Sequence, residues 1–331
     1  MLSIVIIIIC LALLFDFLNG MNDAANSIAT VVSTKVLSPR VAVAWAAFFN
    51  FAAVFFFGVH VATTIGKGIV DTNIINEYFI LSALMGAVIW THICTRYGMP
   101  ISVSHALIGG MIGPALIAKG ADGLIMAGIT KVLIFIVLSP VIGFVLGNII
   151  MVLTLHVFKR STPGNVNSYF RVMQLLSSAI FSLGHGSNDA QKTMGIIAVL
   201  LYSTGYLGQE FHVPLWVVIA SYSTISLGTL FGGWKVIKNL GIGLTDLKPV
   251  HGFCAETAGA LTIIGASLAG IPVSTTHTIT GSIMGVGVTR RLSAVHWGLA
   301  GHIVLAWIFT LPATIIVSGI FYLALKATVL P

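Results

Sequence analysis

The chain has 331 residues, 57% of them hydrophobic and 8% charged, with a mean hydropathy of +1.04. That composition excludes a soluble globular domain of this length and points to recurring membrane spans of ~20 apolar residues. The net charge of +7 is no nucleic-acid footprint, because the basic residues form no stripe; their placement fits membrane topology.

Residues 1–34 form the first apolar run. Its first basic residue is Lys35, so it lacks the charged start of a secretory signal and reads as a retained membrane segment. Further runs follow at 40–60, 77–97, 99–118 and 122–156. A polar stretch ending in KRSTPGNVNSYFR at Arg171 then separates these from runs at 172–203, 214–234, 250–269, 271–289 and 296–326. The pattern predicts an all-α integral membrane protein of about ten to twelve membrane segments. A first transmembrane repeat covers 1–157, a short cytoplasmic linker 158–171, and a second, inverted transmembrane repeat 172–331. Segments longer than one span imply tilt, breaks or re-entrant pieces. Cys10, Cys94 and Cys254 lie scattered in apolar stretches, at no metal-ligand spacing, and read as buried small hydrophobes.

Two strings recur in the same order. GMNDAANS at 20–27 returns as GSNDAQKT at 186–193, and GMPISVSHALIGGMIG at 98–113 returns as GIPVSTTHTITGSIMG at 270–285. Membrane proteins built from such repeats place a substrate site where the repeats meet. Asp23 and Asp189 sit inside apolar runs, where a carboxylate is costly unless it faces a polar cavity or a cation. The neighbouring Gly20, Asn22, Gly186 and Asn188 predict a helix break at each motif. In the second motif Pro100 and Pro272 mark a helix start. Ser102, Ser104, Ser274, Thr275 and Thr276 then place hydroxyls beside the free N–H groups of a first turn, a ready anion site.

His105 and His277 occupy equivalent places and read as orienting hydrogen-bond groups, with a proton-relay role open. Glu256 is a further intramembrane acid whose counterpart is Leu84, and a candidate coupling group. Asp16 reads equally as a structural or a functional acid, and the remaining histidines carry no assignment. A faint phosphate-loop likeness around GVHVATTIGKG fails at Val61 and Gly68. Nothing in the sequence supports an ATP-driven pump or a hydrolase.

With the N-terminus outside, the inside loops hold Lys35, Arg40, Arg96, Lys159, Arg160, Arg171, Lys235, Lys238, Lys248, Arg290 and Arg291. The outside holds Lys67, Lys119, Lys131 and Lys326, and Lys192 lies within a crossing. Eleven against four is a positive-inside asymmetry with both termini outside. Five crossings per half force the second half to insert upside down.

The two G-x-N-D motifs, the stretch GHGSNDAQKTMGIIA at 184–198 and the paired P-x-S-x-x-H segments resemble the inorganic phosphate transporters often abbreviated PiT. That family includes bacterial low-affinity phosphate permeases and a sulfate-transporting branch, and the resemblance spans essentially the whole chain. It implies inverted repeats with re-entrant hairpins, a central anion site, a multi-pass place in a bacterial plasma membrane and a homodimer. Carried over by motif, Asn22, Ser102, Ser104, Asn188, Gln191, Ser274, Thr275 and Thr276 would bind the anion. Asp23 and Asp189 would serve the coupling cation, and the chain's own residues add Asn26, Lys192 and Glu256 to that set, with sodium at Asp23 and Asn26 or a proton in its place, and no other cofactor. Two departures stand out: the linker is short, and the second motif carries Gln191 and Lys192 where the first carries Ala25 and Asn26. Lys192, three residues after Asp189, can reach that carboxylate on a helical turn and neutralise it without sodium.

The expected function is thus a symporter importing inorganic phosphate on a proton or sodium gradient, and no enzyme. The alternatives are a sulfate permease of the same family and, from a different class, an anion channel.

Overall fold

The computed structural model describes residues 2–208, 210–241 and 243–328, and no strand occurs among them. The first half holds α1 (Leu2–Ser33), α2 (Pro39–Ala52), α3 (His60–Lys67), α4 (Glu77–Tyr97), α5 (Val103–Lys119) and α6 (Met126–Val157). The second holds α7 (Pro163–Ser203), α8 (Leu215–Phe231), α9 (Trp234–Gly241), α10 (Pro249–Leu268), α11 (Thr275–Val288) and α12 (Trp297–Thr328). Each helix of the first half thus has a counterpart of the same kind in the second.

Local chemistry sets the boundaries. Pro39 and Pro163 open α2 and α7 behind Ser38 and Thr162, where a missing N–H costs nothing. Asn76 caps α4 by accepting from Phe79 N at 2.8 Å, and α4 stops at Gly98, whose φ of 75° lies in the left-handed region. Gly270 holds φ 66° at the matching place after α10. Pro100 and Pro272 do not begin helices, as the sequence suggested. Each lies two residues before a capping serine, and Ser102 and Ser274 accept from His105 N and His277 N at 3.3 and 3.2 Å.

α1, α4, α6 and α12 are each long and apolar enough to cross a membrane alone. α2 continues through a short 3-10 turn and then bends by 84° into α3. α5 and α11, of 17 and 14 residues, rise only about 26 and 21 Å and fall short of a ~30 Å hydrocarbon core. They are the second arms of hairpins begun by α4 and α10. Exposed apolar side chains such as Leu133, Val137, Val141, Ile308, Phe309 and Ile316 cover the outer faces of α6 and α12, a surface suited to lipid. The chain is a multi-pass membrane protein.

The expected helix breaks at the N-D motifs are absent. α1 and α7 run unbroken for 32 and 41 residues, because the motif residues find side-chain partners and leave the backbone ladder intact. The breaks fall instead between α2 and α3, between α8 and α9, and at the hairpin tips. The linker expected over 158–171 is a turn over 158–162 followed by the first turns of α7. Cys94 and Cys254 are buried, whereas Cys10 is exposed on α1.

α1 and α7 cross antiparallel at the centre. Asp16 Oδ1 accepts from Thr193 Oγ1 at 2.9 Å, and further along Thr34 Oγ1 donates to Gln174 Oε1 at 2.8 Å. One apolar cluster packs the early part of α1 (Val5, Phe15) with α4 and the late part of α7 (Met194, Leu200). The other packs the late part of α1 (Ala24, Ile28) with α9, α10, α11 and the early part of α7 (Phe181). Both N-D motifs lie at the seam between these cores.

Candidate functional site

The seam is polar and shielded from solvent. Asp23 and Asn26 come from α1, Asp189 and Lys192 from α7, Ser104 from α5, and Thr275 and Thr276 from α11, all buried. Asn26 Nδ2 donates to Thr275 Oγ1 at 3.2 Å and to Thr276 Oγ1 at 2.9 Å. Thr276 Oγ1 lies 3.3 Å from Asp23 Oδ1. Thr275 Oγ1 lies 3.2 Å from Asp23 Oδ2 and 3.1 Å from Asp189 Oδ2. Lys192 Nζ donates to Asp189 Oδ1 and to Ser104 Oγ, and at 3.0 Å to the Val273 carbonyl. Ser104 Oγ donates in turn to that carbonyl at 3.1 Å. The starts of α5 and α11 therefore meet at one point.

Helical geometry explains which side chains meet. Asp189 and Lys192 are three apart on α7 and share a face. Positions 104, 275 and 276 occupy first turns, where the leading N–H groups have no intrahelical acceptor. Those donors, the hydroxyls and the ammonium make a positive, donor-rich rim, and the two carboxylates supply the acceptors. Thr275 has a single O–H to share between Asp23 and Asp189. One of the two carboxylates is therefore short of a donor on that side.

His185 was not singled out from the sequence and belongs here. Its Nε2 lies 3.2 Å from Asp189 Oδ2 and its Nδ1 3.2 Å from Asn50 Oδ1. Its spacing of four residues before Asp189 on one helix is the signal that could have marked it. Ligand atoms of Asp23, His185 and Asp189 all lie within 4.8 Å of one another, a spacing that could hold a cation.

Other predicted site residues lie nearby in supporting positions. Asn22 Nδ2 donates to Thr95 Oγ1 at 2.9 Å and to the Met99 carbonyl at 3.4 Å, tying down the α4–α5 tip. Asn188 does the same for the α10–α11 tip, through Ser267 Oγ at 2.9 Å and the Ile271 carbonyl at 3.3 Å. It also accepts from Val273 N. Gln191 Oε1 accepts from Val61 N at 2.8 Å and Ala62 N at 3.3 Å, capping α3. Ser102 and Ser274 are engaged as caps. Glu256 belongs to a separate knot, where it accepts from Thr30, Ser177 and Gln174.

Behind the hairpin starts, the His105 and His277 rings meet edge to face at 4.8 Å, and His277 stacks on Trp307 at 3.7 Å. His277 Nδ1 lies 3.3 Å from the Ile136 carbonyl, and Trp307 Nε1 donates to the Pro100 carbonyl at 3.2 Å. Both imidazoles sit as packing and orienting groups between the two short helices.

This arrangement has relatives. A probable low-affinity inorganic phosphate transporter of Rhizobium meliloti is 56% identical over 317 residues, covering 96% of this chain and 95% of the relative. One from Bacillus subtilis is 42% identical over 324 residues, covering 97% of each. A solved structure described as the sodium-dependent phosphate transporter superposes with a TM-score of 0.89 at 28% identity, over 99% of this chain and 100% of its own. These relatives are transporters rather than enzymes. The model of the phosphate transporter family matches residues 19–318, from before the first N-D motif to beyond the second hairpin, and to that family the chain belongs.

Proposed function

We propose that the chain is a secondary active symporter that imports inorganic phosphate, with the anion bound at the seam by Ser104, Thr275, Thr276 and the first-turn N–H groups of α5 and α11. The observation that carries this reading is the single Thr275 hydroxyl set between Asp23 and Asp189. A phosphate that retains a proton can donate to the undersupplied carboxylate, whereas sulfate is fully ionised at neutral pH and only accepts. The names of the relatives support the same substrate. Uptake into proteoliposomes, with labelled phosphate challenged by unlabelled phosphate, arsenate and sulfate, tests it. Competition by sulfate as strong as by phosphate would favour the sulfate reading. Accumulation against a gradient, abolished by an ionophore, separates a carrier from a channel.

Asp23, with Asn26 and the nearby His185, is the place for the coupling cation, sodium or a proton. Lys192 serves Asp189 in the same way from within the chain. Inverted insertion of the two halves is supported by the antiparallel α1 and α7 and by matched close approaches. A Cβ on Gly20 would meet the Ile225 carbonyl at 2.1 Å, and one on Gly186 the Asn50 carbonyl at 2.5 Å. Each half thus lays its first helix on the other's second. The charge count puts both termini outside and the 158–171 segment in the cytoplasm. An impermeant thiol reagent is then expected to label Ser161→Cys, in a background lacking native cysteines, only after the membrane is opened; labelling of intact cells would reverse the orientation.

A further inference from the structure

Outside the seam, two basic pockets sit at equivalent places in the two halves. One, of about 410 Å³, is lined by His60, Thr63, Thr64 and Lys67 of α3 and by residues 268–270 at the end of α10. The other, of about 370 Å³, is lined by Leu18 and Met21 of α1, by His92, Thr95 and Arg96 at the end of α4 and by residues 232–235 at the break between α8 and α9. Residue 96 precedes residue 268 by 172 positions, the offset between the two copies of the hairpin motif. The pockets therefore form at corresponding tips, each beside a broken helix.

Each pocket is one side-chain tie away from the seam. Thr95 lines the second pocket and accepts from Asn22, the residue before Asp23. Gly270 lines the first, where its carbonyl accepts from Thr64 Oγ1 at 2.7 Å, and the next carbonyl, that of Ile271, accepts from Asn188, the residue before Asp189. Among the described residues Lys67, Arg96 and Lys235 form no ion pair. Lys67 Nζ lies over the rings of Tyr202 and Phe211 at 5.1 and 4.8 Å, and Lys235 Nζ donates to the Arg96 carbonyl at 3.1 Å. Neither contact neutralises the charge. No carboxylate lines either pocket.

We propose that these pockets are staging sites for inorganic phosphate, one on each approach to the seam. The proposal rests on the phosphate-carrier reading and deepens it by naming where the anion first lodges on each face. Exposed, unpaired cations in an open surface hollow raise the local anion concentration and the rate of capture. The charge count assigns Lys67 to the outer face and Arg96 and Lys235 to the inner one, so the first pocket loads the carrier in uptake and the second in efflux. A lipid headgroup phosphate offers the same chemistry, and the test separates the two.

Initial rates in right-side-out and inside-out vesicles decide the matter. Lys67→Glu is expected to raise the half-saturating phosphate concentration roughly fivefold or more on the outer face, and Arg96→Glu to do so on the inner face, with little change in maximal rate. The milder Lys67→Gln and Arg96→Gln are expected to shift in the same sense by roughly twofold, which guards against misfolding of the charge reversals. Rising salt is expected to weaken capture by the parent more than by either variant. An equal shift on both faces, or none, overturns the proposal. So does a shift seen with phosphatidylglycerol in the vesicles but lost in phosphatidylcholine alone, which would assign the cations to lipid. If the parent carries sulfate and not phosphate, the carrier reading fails on its substrate, and the same face-specific shifts measured with sulfate still decide the pockets.

Discussion

The two carboxylates of the seam stand in duplicated motifs yet live in different surroundings. Asp189 has Lys192 and His185 on its own helix, one turn to either side. At the corresponding places around Asp23, 166 residues earlier, α1 carries Asn26 and Asn19. Asn26 sends its amide to Thr275 and Thr276, and Asn19 Oδ1 is buried without a partner. One acid is thus paired with a cation on its own helix, while the other is met by the Thr275 and Thr276 hydroxyls. Duplication supplies two buried acids, and two substitutions leave one with an ammonium and an imidazole on its own helix and the other with two amides in their place.

That contrast is most easily broken at Lys192. Lys192→Met removes the ammonium and leaves buried Asp189 with only the His185 ring and the Thr275 hydroxyl, and breaking a buried ion pair costs about 3–5 kcal/mol; uptake is expected to fall by roughly a hundredfold or more. Lys192→Asn restores the first-half pattern, and is expected to make transport more dependent on sodium or less dependent on external pH. Rates measured across sodium and pH series check both. Parent-like profiles in the two variants would remove Lys192 from the coupling machinery.

The hydroxyls come next in size. Ser104 contacts the Lys192 side of the seam and Thr276 the Asp23 side. Loss of a hydrogen bond to a charged ligand costs about 1.5–3 kcal/mol, so Ser104→Ala and Thr276→Ala are each expected to weaken phosphate binding roughly ten- to a hundredfold. Unchanged affinity in both would place the anion elsewhere. Ser102→Ala, which deletes a helix cap, is expected to lower the melting temperature more than the affinity.

The smallest effect concerns Gln191, which replaces the first half's Ala25 and caps α3. Gln191→Ala is expected to cost about 1 kcal/mol, read as a drop of roughly 2 °C in the melting of detergent-solubilised protein. A loss of affinity as large as that of Thr276→Ala, with melting unchanged, would return Gln191 to the anion site.

Much of this was legible in the residues. The apolar runs located most of the long helices to within a few positions, although α7 begins nine residues before its run and the short α3 and α9 had no run of their own; the two repeated motifs marked the seam, because buried polar side chains in lipid need a reason to be there. The Asp189–Lys192 pair followed from helical spacing alone. The orientation of individual side chains was not legible. Asn22 and Asn188 read as ligands because they adjoin the acids, but adjacent helix positions point about 100° apart, and these two face the hairpin tips. Glu256 and the N-D acids look alike in sequence, and only the fold separates the Thr30–Ser177–Gln174 knot from the seam. The unbroken α1 and α7 were missed because glycine and asparagine permit a break without requiring one.

The asparagine ties have a kinetic corollary. Asn22 fastens one tip to its long helix by two side-chain hydrogen bonds and Asn188 the other by three, and such bonds between membrane helices average about 0.6 kcal/mol. Releasing one set then costs roughly 1–2 kcal/mol, which leaves these ties open for a few per cent of the time or more. If the tips are the moving parts, thermal agitation alone can open these ties, with no input from a ligand. Under the proposed symport, the ion gradient would act as a ratchet, deciding which excursions end in net passage without having to prise the latch.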